Sequence, residues 1–233
     1  MIIWSLFDGS GLMGQPWADN GHTVYCFNAD DGDHGTYTQY GCRVEHPNIR
    51  YINAWIDSKF VMKAMATSGD KPDLIFAFPP CTDIAVSGAR HFAAKLAANP
   101  TCQDDAVNAA RIAERLGWWF NVPYMIENPV SVMASLWRKP DFTFHPWEFS
   151  GYLPEGDMHP YFPLLIAGRD QYPKKTCLWT GNGFKHPKKI PLPIPPGYSE
   201  QFHKLGGKSA KTKTIRSLTP RGFARAVYEA NKP

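Results

Sequence analysis

Short apolar runs that stop abruptly at polar residues are the feature that most constrains the fold of this chain. Each run has the length of a β-strand, and each is followed by residues typical of loops. The predicted strands are residues 2–7, 22–27, 73–78 and 122–126, with a weaker one at 49–52.

Helical patterns lie between and after these runs. Residues 13–20 are long enough for a short helix, which Gly21 would cap, and residues 104–120 carry apolar side chains at helical spacing. A final helix is predicted at 220–231. The alternation predicts an α/β, Rossmann-like fold: a mostly parallel open sheet with helices on both faces. Ligands of such sheets bind at the carboxyl ends of the strands.

The composition fits one domain over residues 1–233, with 43% hydrophobic and 20% charged residues. After about residue 140 the sequence becomes rich in aromatic residues and proline, then basic. From residue 171 onward, 13 lysines and arginines face 2 acidic residues, whereas the preceding part has 12 against 19. This asymmetry predicts that the C-terminal part faces a polyanion, although a solvated lysine-rich surface would give the same pattern.

Other functional classes are disfavoured by simple counts. The sequence has no apolar run of membrane-spanning length and no signal-peptide pattern, so we expect an intracellular, cytoplasmic protein without membrane contact. Its five cysteines include no C-x-x-C pair, which argues against a disulfide framework and a zinc ribbon. We expect reduced thiols, one of which is reactive, and no metal.

A glycine-rich loop follows the first predicted strand. Residues 9–14 (GSGLMG) match G-x-G-x-x-G, a pattern that lets the backbone turn tightly beside a nucleotide-containing cofactor. An acidic residue after the second strand can accept hydrogen bonds from ribose hydroxyls, and Asp30 stands 21 residues beyond Gly9. This arrangement suits NAD and S-adenosylmethionine equally.

Cys81 stands in a proline-stiffened loop after the predicted strand at 73–78. Two prolines in the segment FPPC (78–81) hold the thiol in a fixed position at the functional edge of the sheet. The loop continues through Ser87 and Gly88 to Arg90, so we expect it to be mobile and to contact phosphate. Basic neighbours should also favour the thiolate, which is the nucleophilic form.

Glu127 and Asn128 follow the next strand and should open onto the same crevice as Cys81. A glutamate at this place could hydrogen-bond the ring nitrogen and the exocyclic amine of a cytosine.

The order of these motifs, with FPPC and then IENP after the glycine loop, resembles the cytosine-5 DNA methyltransferases. The resemblance implies S-adenosylmethionine as cofactor and DNA as partner. It also implies a cysteine that attacks carbon 6 of the flipped cytosine, and a glutamate that protonates or hydrogen-bonds nitrogen 3. The shortness of the chain resembles that of compact versions encoded by bacteriophages, which would place it in the host cytoplasm. Residues 1–140 would then form the cofactor-binding and catalytic core, and residues 141–233 the DNA-contacting part.

The family pattern assigns roles to individual positions. Residues 174–179 (KKTCLW) resemble the strand that supplies basic contacts to the base and nearby phosphate, and residues 216–220 resemble the closing segment of the cofactor pocket. The implied catalytic residues are Cys81, Glu127 and Lys175. The implied cofactor-binding residues are Phe7, Gly9, Ser10, Gly11, Asn28, Asp30, Trp55, Ile56, Pro79 and Thr219. The implied substrate-binding residues are Pro80, Ser87, Gly88, Arg90, Asn128, Lys174, Lys213 and Arg216. Candidate contacts to the DNA backbone also include Lys204, Lys208 and Lys211.

Three departures from the family pattern qualify these assignments. Either Asn28 or Asp30 stands where an acidic residue meets the ribose, and Trp55-Ile56 replaces the usual Asp-Ile or Asp-Val pair at the adenine. The large target-recognition domain is missing, since only 36 residues separate Trp179 from Arg216. We therefore expect a short or loose sequence preference, or one supplied by a partner.

Three alternatives stay open from the sequence. The same chemistry could act on RNA or on a free cytosine nucleotide, which would suit a chain without a recognition domain. An NAD-dependent oxidoreductase could use the same glycine loop, but it would leave FPPC and ENP without roles. A catalytically silent nucleic-acid-binding module could keep the fold.

Overall fold

A computed structural model of the protein describes residues 1–32, 37–66, 69–195 and 209–233. A seven-stranded sheet forms its centre, in the order β3-β2-β1-β4-β5-β7-β6. The strands are β1 (Ile2–Leu6), β2 (Thr23–Asn28), β3 (Ile49–Asn53), β4 (Leu74–Ala77), β5 (Tyr124–Pro129), β6 (Phe142–Phe144) and β7 (Thr176–Gly181).

The first five strands are mutually parallel, whereas β7 runs antiparallel to both β5 and β6. All five strands predicted from the apolar runs are present, within one to three residues at each end. The short β6 was not predicted, because three residues of aromatic-rich sequence carry too little periodicity to indicate a strand.

Helices cover both faces of the sheet, which confirms the predicted Rossmann-like α/β architecture. They are α1 (Gln15–Asp19), α2 (Ser58–Met65), α3 (Phe92–Ala98), α4 (Cys102–Ala110), α5 (Ile112–Phe120), α6 (Met133–Leu136), α7 (Ala210–Ser217) and α8 (Arg221–Asn231). Single-turn to two-turn 3₁₀ segments lie at Val86–His91, Pro146–Tyr152 and Gly168–Asp170.

One face of the sheet is covered by α1 and α8, which share a single apolar core. Trp17 of α1 is fully buried and meets the ring of Tyr228 of α8 edge-on, with ring centroids 5.1 Å apart. Phe223 and Val227 of α8 lie in the same cluster as Ile3 of β1. The opposite face is covered by α2, α4 and α5, since alternate side chains of each strand point to opposite sides.

Buried charged groups fix the start of α8. The guanidinium of Arg221 donates to the carboxylate of Asp157 at 2.8 Å, and the first-turn N–H of Gly222 donates to the buried carboxylate of Asp170 at 3.0 Å. Burial raises the pKa of Asp170 to about 6, with Arg221 opposing that rise. The closing helix is therefore held by specific polar contacts as well as by its apolar face.

Two helical predictions need correction. The segment predicted as one helix at 104–120 forms two helices, which are separated at Arg111 because its ψ angle of −2° departs from helical geometry. Both helices bury apolar residues in the same cluster. The loop predicted after Cys81 is helical over 86–98. Its α3 segment (FAAKLAA) has high intrinsic helix propensity but buries no side chain, so apolar spacing gave no signal.

Candidate functional site

A cleft of about 620 Å³ opens at the carboxyl ends of the parallel strands. It lies where β1 and β4 are neighbours, which is the topological switch point of the sheet order. Fourteen of the predicted site residues line it: Phe7, Asn28, Trp55, Ile56, Pro79, Pro80, Cys81, Ser87, Gly88, Glu127, Asn128, Lys174, Lys213 and Arg216. Among the residues that the structure describes, the other predicted site residues lie outside the cleft: Gly9, Ser10, Gly11, Asp30, Arg90, Lys175 and Thr219.

The loop that carries Cys81 forms a hydrogen-bonded turn after β4. The Cys81 carbonyl accepts hydrogen bonds from the N–H groups of Ile84 and Ala85, at 3.2 and 2.9 Å. The side-chain amide of Asn128 donates to the Pro79 carbonyl at 3.0 Å, which ties this loop to β5. Cys81 itself is half-buried and faces the cleft.

The environment of Cys81 differs from the one predicted. Burial raises the pKa of its thiol, and the negative charge of Glu127 raises it further, while Lys174 and Arg216 lower it without reversing the outcome. Basic groups do lower the pKa of this thiol, as expected, but they are Lys174 and Arg216 and not residues of the loop after Cys81, and burial and the glutamate outweigh them.

Glu127 faces the same cleft from the end of β5. Burial raises the pKa of its carboxyl group, and the ammonium of Lys174 opposes that rise. A raised pKa increases the fraction of the acid form, which can donate a proton to a ring nitrogen.

Lys174, and not Lys175, lines the cleft. Its ammonium donates to the Arg216 carbonyl at 2.9 Å and is close enough to lower the pKa values of both Cys81 and Glu127. The side chain of Lys175 is exposed and lies outside the cleft, because consecutive residues leading into β7 point to opposite sides. The catalytic assignment of Lys175 finds no support in its position.

The other basic residues divide between the cleft and the open surface. Lys213 and Arg216 line the cleft from α7, whereas Arg90 is exposed beside His91, to which its Nε donates at 3.1 Å. Lys211 is exposed on α7. Lys204 and Lys208 lie outside the described residues. Contact of these cations with phosphate stays a prediction.

The glycine loop is held by hydrogen bonds to the side chain of Asp8. The buried Asp8 carboxylate accepts from the N–H groups of Ser10 and Gly11, at 3.0 and 2.8 Å, and from the hydroxyl groups of Ser5 and Ser10. Two of the N–H groups that a G-x-G-x-x-G loop offers to a ligand are therefore already bonded within the protein. Sequence reasoning missed Asp8, since only the fold shows that it faces these amides.

Phe7 is the residue of this turn that meets the cleft. Its φ angle of +58° lies in the left-handed region, which a bulky residue rarely adopts. The surrounding structure holds this conformation and aims the ring into the cleft, as is common at binding sites.

Asn28 and Asp30 differ in their partners and in their access to the cleft. Asp30 lies outside the cleft, where its carboxylate pairs with the guanidinium of Arg43 at 2.9 Å and accepts from the Asn28 amide at 2.9 Å. Asn28 is buried and lines the cleft directly. The structure therefore presents Asn28, backed by Asp30, to any ligand at the end of β2.

Trp55 and Ile56 form an apolar wall after β3. Trp55 is 72% exposed although it lines the cleft, whereas Ile56 is buried. An exposed indole at the mouth of a cleft is a suitable surface for stacking an aromatic ligand. Thr219 is buried outside the cleft, beyond the end of α7.

Several cleft residues gave no sequence signal. Tyr37 reaches the cleft from the connection between β2 and β3, Ala109 from α4, and Ser217 from the end of α7. Each comes from an element whose position depends on tertiary packing.

Among the described residues, no cluster of three or more potential ligands could hold a metal ion, and no helix is long and apolar enough to cross a membrane.

Replacing Asn128 with alanine should lower the free energy of unfolding by about 1–2 kcal/mol, because the Pro79 carbonyl would lose its buried donor. Urea denaturation measures the change. Asn20→Ala is the control, since the Asn20 amide makes a similar bond to Pro16 at the surface. Equal losses for the two variants would contradict a special role for the buried tie.

No family model matches the chain, and no curated protein sequence matches it. Among solved structures, the chain is similar to a crystal structure of the 16S rRNA methyltransferase KamB, with 11% sequence identity and a TM-score of 0.33. The alignment covers 77% of this chain and 86% of that chain. No residue role is carried over from so distant a structure, and the fold assignment rests on the sheet itself.

Proposed function

We propose that the protein transfers a methyl group from S-adenosylmethionine to carbon 5 of cytosine in DNA, through a covalent bond to Cys81. The observation that carries this proposal is that Cys81 and Glu127, from the ends of two different strands, face one cleft together with Phe7, Asn28 and Trp55. A nucleophile and an acid thus lie beside a surface suited to a nucleoside.

The cleft fits S-adenosylmethionine better than NAD. A dinucleotide places its pyrophosphate on the amides of the glycine loop, whereas here Asp8 occupies two of those amides. S-adenosylmethionine has no phosphate and needs no such amides. Asn28 would meet its ribose, Trp55 and Ile56 would contact its adenine, and Phe7 would pack beside them.

Carbon 5 of cytosine is a weak nucleophile, and Cys81 and Glu127 would activate it. The Cys81 thiol would lose its proton to solvent and its sulfur would form a bond to carbon 6 of the ring, while Glu127 delivers a proton to nitrogen 3. The double bond between carbons 5 and 6 is thereby opened, and carbon 5 becomes the nucleophilic carbon of an enamine. The bound cofactor would supply the electrophilic methyl group. Loss of the carbon 5 proton to a water molecule, return of the nitrogen 3 proton to Glu127 and departure of the Cys81 thiolate then restore the double bond between carbons 5 and 6.

The raised pKa of Glu127 suits the start of this sequence, whereas the Cys81 thiol must first lose its proton. Glu127 holds its proton more tightly than an ordinary glutamate, and Cys81 holds its own as well. When Glu127 is neutral, its contribution to the raised pKa of Cys81 disappears, and the thiolate forms more readily. Lys174, Lys213 and Arg216 at the cleft favour a polyanionic substrate over a neutral one.

The test is to supply S-adenosylmethionine with a labelled methyl group, together with duplex DNA, single-stranded DNA, RNA or free cytidine nucleotides. Mass spectrometry of the digested nucleosides then identifies the product. We expect 5-methyl-2′-deoxycytidine. Label on the exocyclic amine or on adenine would overturn the reaction, and label only in RNA or in free nucleotides would overturn the substrate.

Replacing Trp55 with alanine should weaken cofactor binding about tenfold, because a stacked base on an aromatic ring is worth roughly 1–3 kcal/mol. Isothermal titration calorimetry with S-adenosylhomocysteine measures the effect. Trp118→Ala is the matched control, since Trp118 is 58% exposed on α5 and lies outside the cleft. Similar affinities for the two variants would count against adenine stacking on Trp55.

A further inference from the structure

Tyr37 connects the glycine loop with the far wall of the cleft. It is 5% exposed and lines the cleft. Its ring lies against Gly9 so closely that a Cβ atom at position 9 would stand 2.2 Å from the Tyr37 Cδ2 atom. A side chain at position 9 would therefore collide with the ring of Tyr37, and the Gly9 carbonyl accepts a hydrogen bond from Arg43 at 3.1 Å.

The other end of Tyr37 reaches α7. Its hydroxyl oxygen lies 2.8 Å from Ser217 Oγ, and the Ser217 hydroxyl donates in turn to the Thr214 carbonyl at 2.8 Å. Because the Ser217 proton is used in that bond, Tyr37 is the donor to Ser217. The tyrosine hydroxyl therefore helps to fix the last turn of α7.

The last turn of α7 also contacts the catalytic side of the cleft. The carbonyl of Arg216, the residue before Ser217, accepts a hydrogen bond from Lys174. The charge of Lys174 acts on both Cys81 and Glu127. A set of contacts thus runs from Gly9 through Tyr37 and α7 to Lys174, whose charge acts on the two reacting groups.

We propose that Tyr37 is a positioning residue that couples cofactor binding to nucleic-acid binding, an inference that rests on the proposed function. A cofactor beside Phe7 and Asn28 holds the adjoining ring of Tyr37 in place. The hydroxyl of that ring then holds α7, which presents Lys213 and Arg216 to the substrate. Such coupling is reciprocal, so the nucleic acid also tightens cofactor binding by the same factor.

The test uses Tyr37→Phe, which removes the hydroxyl and keeps the ring against Gly9. The affinity for a cytosine-containing DNA duplex is measured by fluorescence anisotropy with and without S-adenosylhomocysteine. The readout is the ratio of the two affinities, which a uniform loss of binding would leave unchanged. We expect about fivefold or more tightening in the wild type. We expect less than about twofold in Tyr37→Phe, because an ordinary hydrogen bond accounts for about a fivefold factor.

Two further variants sharpen the outcome. Ser217→Ala should lose the same coupling, and the double variant should lose no more than either single one. Tyr152→Phe is the matched control, since its hydroxyl donates to the Lys188 carbonyl outside the cleft, and it should keep the wild-type ratio. Methylation with equal tightening in wild type and Tyr37→Phe would overturn this inference alone. A wild type that neither binds the cofactor nor methylates would overturn the proposed function and this inference with it.

Discussion

Cys81→Ala is expected to lower the rate of methyl transfer by about a thousandfold or more, because Cys81 is the only thiol among the described residues that line the cleft. The same variant should form no covalent product with an oligonucleotide that contains 5-fluorocytosine. Fluorine at carbon 5 cannot leave as a proton does, so the wild-type enzyme should stay attached to the base after methylation. A shift of the protein band on a denaturing gel, in the presence of S-adenosylmethionine, detects this adduct.

Cys102→Ala is the control for this experiment. Cys102 is a buried free thiol on α4, outside the cleft, and its variant should keep both the rate and the adduct. Absence of an adduct with the wild type, or an adduct that persists in Cys81→Ala, would refute the covalent mechanism.

Glu127→Gln should reduce methyl transfer by about a hundredfold or more, since the amide keeps the shape of the side chain but cannot deliver a proton to nitrogen 3. The same change should make Cys81 more acidic, because the Glu127 carboxylate raises the pKa of that thiol. Alkylation of Cys81 by iodoacetamide, followed by mass spectrometry across a pH series, should therefore shift to lower pH. The other free thiols report on the fold, since Cys26, Cys42, Cys102 and Cys177 are buried and should stay unmodified in a folded variant.

The stability of the Glu127 variant provides an independent check. Because burial raises the pKa of Glu127, the folded protein binds this proton more tightly than the unfolded chain does. The resulting stability is complete below the unfolded value of about 4.5 and is lost as the pH rises through the folded value. Glu127→Gln should thus become more stable relative to the wild type as the pH rises from 4 to 8, by chemical denaturation. An unchanged alkylation profile together with an unchanged pH trend would contradict the assigned environment of Glu127.

The sequence predicts the sheet well because buried parallel strands leave a strong signal. Apolar runs that end at polar residues marked β1, β2, β4 and β5, and the carboxyl ends of these strands do meet at one cleft. Cys81 and Glu127 could be brought together by this argument alone, since each directly follows a strand of the same sheet.

The errors arise where contacts between distant segments decide the outcome. The pattern of glycines could not show that Asp8 occupies the loop amides, nor that Arg43 draws Asp30 away from the cleft. The choice between Lys174 and Lys175 depends on how the chain enters β7. The protonation state of Cys81 depends on burial, which no local pattern of charges reveals.

The shared core of α1 and α8 has a consequence for synthesis of the protein. Trp17 can pack fully only after residues 221–231 have left the ribosomal exit tunnel, because Phe223, Val227 and Tyr228 complete its surroundings. Until then the growing chain exposes the apolar face of β1 and α1, although the strands beside it have already been made. Nascent chains stalled before α8 should therefore bind chaperones that hold exposed apolar segments, and release from them should coincide with emergence of the last helix.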